Sequence, residues 1–123
     1  MSTNLSLVLV PGKGKGLVAN CPITKGQVLT RDLCVELSEL DWQRLTETPL
    51  WRYVFFRPDG DSIRRFFCFG ISAFTNHSTK PNVEKSFDED ALGVWLTLRA
   101  YRDIAADEEL CIRYVAPELF GLR

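Results

Sequence analysis

The apolar positions of this chain come in short runs. Leu5-Ser6-Leu7-Val8-Leu9-Val10 reads as a strand, and Pro11 to Gly16 as a loop, because glycine at every second position frees the backbone. Gln27 to Leu37 mixes β-branched and apolar residues and reads as a second strand. Ser38 is placed to cap a helix, with Glu39 and Asp41 near its positive end. That helix carries Leu40 and Leu45 and must stop before Pro49. Tyr53 to Phe56 is apolar and aromatic, Pro58-Asp59-Gly60-Asp61 is a turn, and Ile63 to Phe69 is a further strand. Val83 to Phe87 and Leu92 to Tyr101 flank Asp88-Glu89-Asp90 and predict a hairpin. Leu110, Ile112 and Tyr114 alternate with Cys111 and Arg113. The pattern is one of short strands with one clear helix, without repeats or linkers.

Length and composition narrow the classes. At 123 residues the chain reads as one domain, with 46% hydrophobic and 25% charged residues, as in soluble globular proteins. A net charge of −1 argues against a general polyanion binder. No apolar run approaches the roughly 20 residues of a membrane span, and Met1-Ser2-Thr3-Asn4-Leu5 lacks the features of a signal peptide. An intracellular protein is therefore expected. It would be cytoplasmic, or would act in a host nucleus if its source is a virus or delivers it into a host. None of Cys21, Cys34, Cys68 and Cys111 has C-x-x-C spacing, so no metal site is expected. Cys68 and Cys111 read as free core thiols, since an intracellular setting disfavours disulfides.

Three blocks carry the candidate chemistry. Gly14-Lys15-Gly16-Leu17-Val18-Ala19 formally fits the dinucleotide fingerprint G-x-G-x-x-A, but Pro22 and Gly26 follow where that motif needs a helix. A phosphate loop would need Gly-Lys-Ser or Gly-Lys-Thr, which is absent. What remains is either a bare backbone edge open to a ligand or a surface turn. The second block, Phe74-Thr75-Asn76-His77-Ser78-Thr79-Lys80-Pro81-Asn82, holds the only histidine. A lone histidine is more often structural than catalytic. Ser78 beside His77 makes no triad, because adjacent side chains seldom face each other and no nucleophile elbow exists. The third block is Arg102-Asp103-Ile104, then Asp107-Glu108-Glu109-Leu110 and Tyr114.

In this order the blocks resemble the SET-domain family of protein lysine methyltransferases. The first is similar to its opening G-x-G segment, the second to F-x-N-H-S-C-x-P-N, and the third to R-D-I-x-x-G-E-E-L-x-x-x-Y. The resemblance runs from about Leu7 to Tyr114 and is nearest the minimal SET proteins of large DNA viruses and bacteria. It implies a mainly β fold of small curved sheets with one short helix, and a C-terminal pseudoknot that brings the Asn-His-Ser block to Tyr114. By the same resemblance, Gly14, Lys15 and Gly16 would contact S-adenosylmethionine along their backbone. Asn76 and His77 would hold its amino-acid and adenine parts. Tyr114 would stand at the reaction centre, with Tyr53 as a further aromatic beside it. Phe74 reads as a packing residue.

The chain departs from the pattern at Ala73, Thr79 and Asp107, and no cysteine cluster follows Tyr114. Phe120 and Leu122, or a second subunit in a homodimer, are expected to close the site instead.

The implied reaction suits these residue types. A lysine amine attacks a methyl group on a sulfonium, so alignment is the chief demand. The amine must be neutral, against an ordinary pKa of about 10.4, and burial beside a positive sulfur lowers that value. No carboxylate pair is needed as a base. The implied activity is S-adenosylmethionine-dependent protein lysine N-methylation, with histone lysines among the possible targets. The competing reading is a SET-fold module that binds lysine-containing peptides without catalysis. Nucleic-acid binding through Lys13 and Lys15 is poorer, because two lysines in a near-neutral protein leave a weak electrostatic footprint.

Overall fold

The computed structural model describes residues 4–115. Two sheets carry the fold. The first has strand order β1-β2-β9-β6, from β1 (Leu5–Val10), β2 (Gly14–Ala19), β9 (Glu109–Ile112) and β6 (Asn76–His77). The second has order β4-β5-β3-β8-β7, from β4 (Val54–Asp59), β5 (Ser62–Cys68), β3 (Val28–Leu37), β8 (Gly93–Ala100) and β7 (Val83–Asp90). The fold is mainly β, as expected. Among the described residues no helix is long and apolar enough to cross a membrane.

The one α-helix among the described residues, α1 (Glu39–Leu45), starts as its sequence dictates. Ser38 Oγ accepts from the Asp41 amide at 3.1 Å, and Asp41 Oδ2 accepts from the Ser38 amide at 3.0 Å, a reciprocal capping box. The helix buries no residue fully, so its caps and the edge-on contact of Trp42 with Phe56 (5.4 Å) do much to hold it.

Four expectations need correction. The glycine segment is not all loop: β2 begins at Gly14 and pairs antiparallel with β1, Leu5 opposite Ala19. Gly12 (φ 77°) and Gly14 (φ 84°) make the turn between them. The turn at 58–61 is tighter, because β4 runs through Asp59 and the chain reverses at Gly60 (φ 60°). The acidic run Asp88-Glu89-Asp90 belongs to β7, with Asp90 opposite Gly93. Its charges are tolerated on an exposed edge strand, where Asp88 pairs with Arg31 at 2.9 Å. Finally, Cys68 is not a free thiol. Antiparallel pairing of β3 and β5 sets Cys34 directly opposite Cys68, and a disulfide joins them. Spacing in the sequence carries no sign of that register. Cys111 is free and buried, as read.

The core lies between the sheets, around Phe66, Leu17, Leu96, Leu98, Ile104, Leu110 and Ile112. Strand β9 is the centre of the construction. It pairs antiparallel with β2 on one side and parallel with β6 on the other, Asn76 opposite Cys111 and His77 opposite Ile112. Leu110, Cys111 and Ile112 are therefore all buried. Asn82 locks the mid-chain block to β9. Its side-chain oxygen accepts from the Cys111 amide at 2.8 Å, and its Nδ2 donates to the Glu109 carbonyl at 2.7 Å and the Glu108 carboxylate at 3.1 Å. Phe120 and Leu122, expected over the site, lie outside the described residues.

Candidate functional site

The block at 70–77 takes its shape from β3. Gly70 packs so closely on Asp32 that a Cβ would overlap the carboxylate. Ser72 Oγ donates to Asp32 Oδ2 at 2.5 Å, and Thr75 Oγ1 donates to the Ser72 carbonyl at 2.8 Å. This anchors a 3-10 turn (Ile71–Phe74) that delivers Asn76 and His77 onto β9. Tyr53 ends a second 3-10 turn (Pro49–Tyr53), begun by Thr48, whose hydroxyl accepts from the Leu50 amide at 3.2 Å. The Tyr53 and Phe74 rings meet edge-on at 5.3 Å.

Tyr114 is held by both blocks. Its hydroxyl donates to the Thr75 carbonyl at 2.9 Å, and its amide donates to His77 Nδ1 at 2.9 Å. That second bond makes Nδ1 the acceptor, so the proton of neutral His77 sits on Nε2. Burial pushes the Tyr114 phenol up to about 12, with the Cys111 and Glu109 charges adding to the effect. The phenol is neutral at physiological pH: it can give and accept hydrogen bonds but cannot act as a phenolate base.

An open cleft of about 290 Å³ is walled by Lys13, Lys15, Tyr53, Phe74, Asn76, His77 and Tyr114. A narrow pocket of about 20 Å³ lies beside it, walled by Phe55, Thr75 and Lys85. Tyr53, Tyr114, Arg52 and Ala73 line both. Two cavities thus share one wall, and two tyrosines stand in it.

Of the residues singled out from the sequence, Lys15, Tyr53, Asn76, His77 and Tyr114 converge on this cleft. Gly14 and Gly16 do not line it. Gly16 backs it instead: a Cβ there would lie 2.7 Å from Val10 Cγ2 and 2.8 Å from Asn76 Nδ2. Phe74 packs, as read, but also faces the cleft. Gly12, Lys13, Arg52, Ala73 and Lys85 were not foreseen as lining residues. Glu109 was quoted in its motif without a role. It holds Lys13 at 2.8 Å and Asn76 Nδ2 at 2.8 Å, and its hydrogen bond raises the Lys13 pKa. Asn76 Nδ2 also donates to the Lys15 carbonyl at 3.1 Å.

A SET-domain family model matches residues 14–115. The chain belongs to the SET-domain family. The crystal structure of a candidate histone methyltransferase from Plasmodium falciparum, PFL0690c, has a similar fold. Its TM-score is 0.70 at 19% identity, with 93% of this chain and 95% of that chain covered. At that identity the likeness speaks for the SET fold alone. No protein of curated function matches the sequence.

The residues of this SET domain fit the cofactor its family generally uses. Asn76 donates through Nδ2 to protein groups, so its Oδ1 has no partner among the described residues and can accept from an ammonium. Lys15 offers a cation to a carboxylate, beside Lys13, which Glu109 already holds, and the Tyr53 and Phe74 rings offer aromatic surface to a sulfonium or a base.

Proposed function

We propose that this SET domain is an S-adenosylmethionine-dependent protein lysine N-methyltransferase. The observation that carries the reading is the shared wall: a cleft large enough for an organic cofactor meets a narrow pocket across Tyr53 and Tyr114. Asn76, His77, Lys13 and Lys15 would hold the cofactor in the cleft. When bound, S-adenosylmethionine supplies an activated methyl group.

The protein's own part is positional and electrostatic. The narrow pocket, walled by Phe55, Thr75 and the two tyrosines, strips water from an incoming lysine and lowers its pKa. Tyr114 keeps its proton and donates it as a hydrogen bond to the Thr75 carbonyl, which leaves its oxygen lone pairs to accept from the lysine amine. That contact would orient the nitrogen lone pair along one line, where correct alignment accounts for much of the rate. The aromatic walls hold the lysine while it is still charged. The parallel seam of β6 and β9 supports the pseudoknot expected of the family.

The test is incubation with labelled methyl donor and a panel of histone and non-histone proteins, with mass-spectrometric mapping of the product. Methyl-lysine in the panel supports the reading. Cofactor uptake by calorimetry with no product from any target would favour the non-catalytic peptide-binding module.

A further inference from the structure

The charges around the narrow pocket are one-sided. Among the described residues, Arg52 and Lys85 are the only ionisable side chains in its walls besides the two tyrosines, and neither has a carboxylate partner there. Arg52 lies over the Trp51 ring at 5.3 Å, and Lys85 Nζ lies over the Phe55 ring at 5.9 Å. The cleft on the far side adds Lys15, and Lys13, which is already paired with Glu109. The groove that adjoins the pocket through Lys85 adds Arg113, whose guanidinium donates to the Thr79 carbonyl at 2.9 Å, against one acid, Glu84. A protein of net charge −1 has gathered cations where a lysine would enter, and the two in the pocket wall, Arg52 and Lys85, have no carboxylate partner among the described residues.

That arrangement discriminates between substrates. A target lysine brings one more positive charge toward Arg52 and Lys85, and a basic flanking segment brings several. Like charges brought together in a partly desolvated site repel strongly, whereas carboxylates beside the target would pair with these cations. Burial already holds the Lys85 pKa down to about 8, the mark of an ammonium short of a counter-ion.

We propose that Arg52 and Lys85 make this site select a lysine set within an acidic stretch, with aspartate or glutamate side chains next to the target. The inference rests on the methyltransferase reading and specifies its substrate class.

The experiment uses three peptides of equal length with a central lysine, flanked by glutamates, by serines or by arginines. Binding is read by fluorescence anisotropy on the full chain without methyl donor, and methyl transfer separately. The acidic peptide should bind about tenfold more tightly than the basic one, with a margin that shrinks as salt rises. Arg52→Glu with Lys85→Glu should reverse the order. Arg52→Gln with Lys85→Met, a pair that buries no new charge, should flatten it. Equal or tighter binding of the basic peptide, or an order unchanged in both variants, overturns the inference. Transfer to the basic peptide would then leave the methyltransferase reading standing. Charge-reversible binding without transfer to any peptide would count against that reading and leave the preference for acidic flanks as a property of peptide binding alone.

Discussion

The amide of Tyr114 donates to Nδ1 of His77 over 2.9 Å, and the two rings lie 5.2 Å apart. The residue at the shared wall of the two cavities is thus held by a residue of the cleft. His77→Ala leaves a partly buried amide without its acceptor, a loss of about 1–3 kcal/mol in stability. It should weaken cofactor binding and lower kcat together. His77→Asn, which can present an oxygen near the position of Nδ1, should recover part of both. Calorimetry and initial rates on the three proteins check this; identical Ala and Asn variants would remove the bond as the cause.

Tyr114→Phe removes one hydroxyl and keeps the ring. The expected result is a fall in kcat on the order of 10²-fold, as for loss of one positioned donor or acceptor. Cofactor affinity should change little, because the ring and the His77 bond both remain. Unchanged turnover would deny the phenol its orienting role.

Asn82 is 3% exposed, and its side chain bonds to three positions around β9. Asn82→Ala strands the Cys111 amide in the core, so a loss of about 3 kcal/mol or more is expected. Asn82→Asp keeps the acceptor for Cys111 but turns a donor toward Glu108 into a like charge, and should also destabilise. Chemical denaturation measures both.

Gly16 has no room for a methyl group between Val10, Asn76 and Glu109. Gly16→Ala should push Asn76 from its bond to the Lys15 carbonyl. Cofactor affinity should then fall more than stability does. Calorimetry beside thermal melting separates the two.

Arg102, first, holds the Glu108 carboxylate down to about 2, helped by the Ala105 amide and Asn82. An acid depressed below its unfolded value near 4.5 contributes stability that is fully present above that value. That contribution drains away as pH falls from about 4.5 toward 2. Glu108→Gln should be less stable at neutral pH and should lose this part of the acid slope. Urea titrations at several pH values test the sign.

Much of the local structure was legible. Ser38 and Asp41 announce the helix start because a cap needs only residues three apart. Leu5–Val10 and the long strand ending at Leu37 follow from β-rich apolar runs. The acidic run at 88–90 misled because turn chemistry and an exposed edge strand can look alike in sequence. Lys85 gave no signal at all, since a lysine in a strand normally points to water.

The residue types and their order, by themselves, determined the mainly β class, the helix cap and the family resemblance carried by Asn76, His77 and Tyr114. Only the tertiary structure decided that Cys34 faces Cys68, that Gly16 backs the cleft, and that Arg52 and Lys85 share a pocket wall. The reason is physical. Caps and strands depend on neighbours a few residues apart, whereas strand register and cavity walls join residues tens of positions apart through core packing that no local pattern encodes.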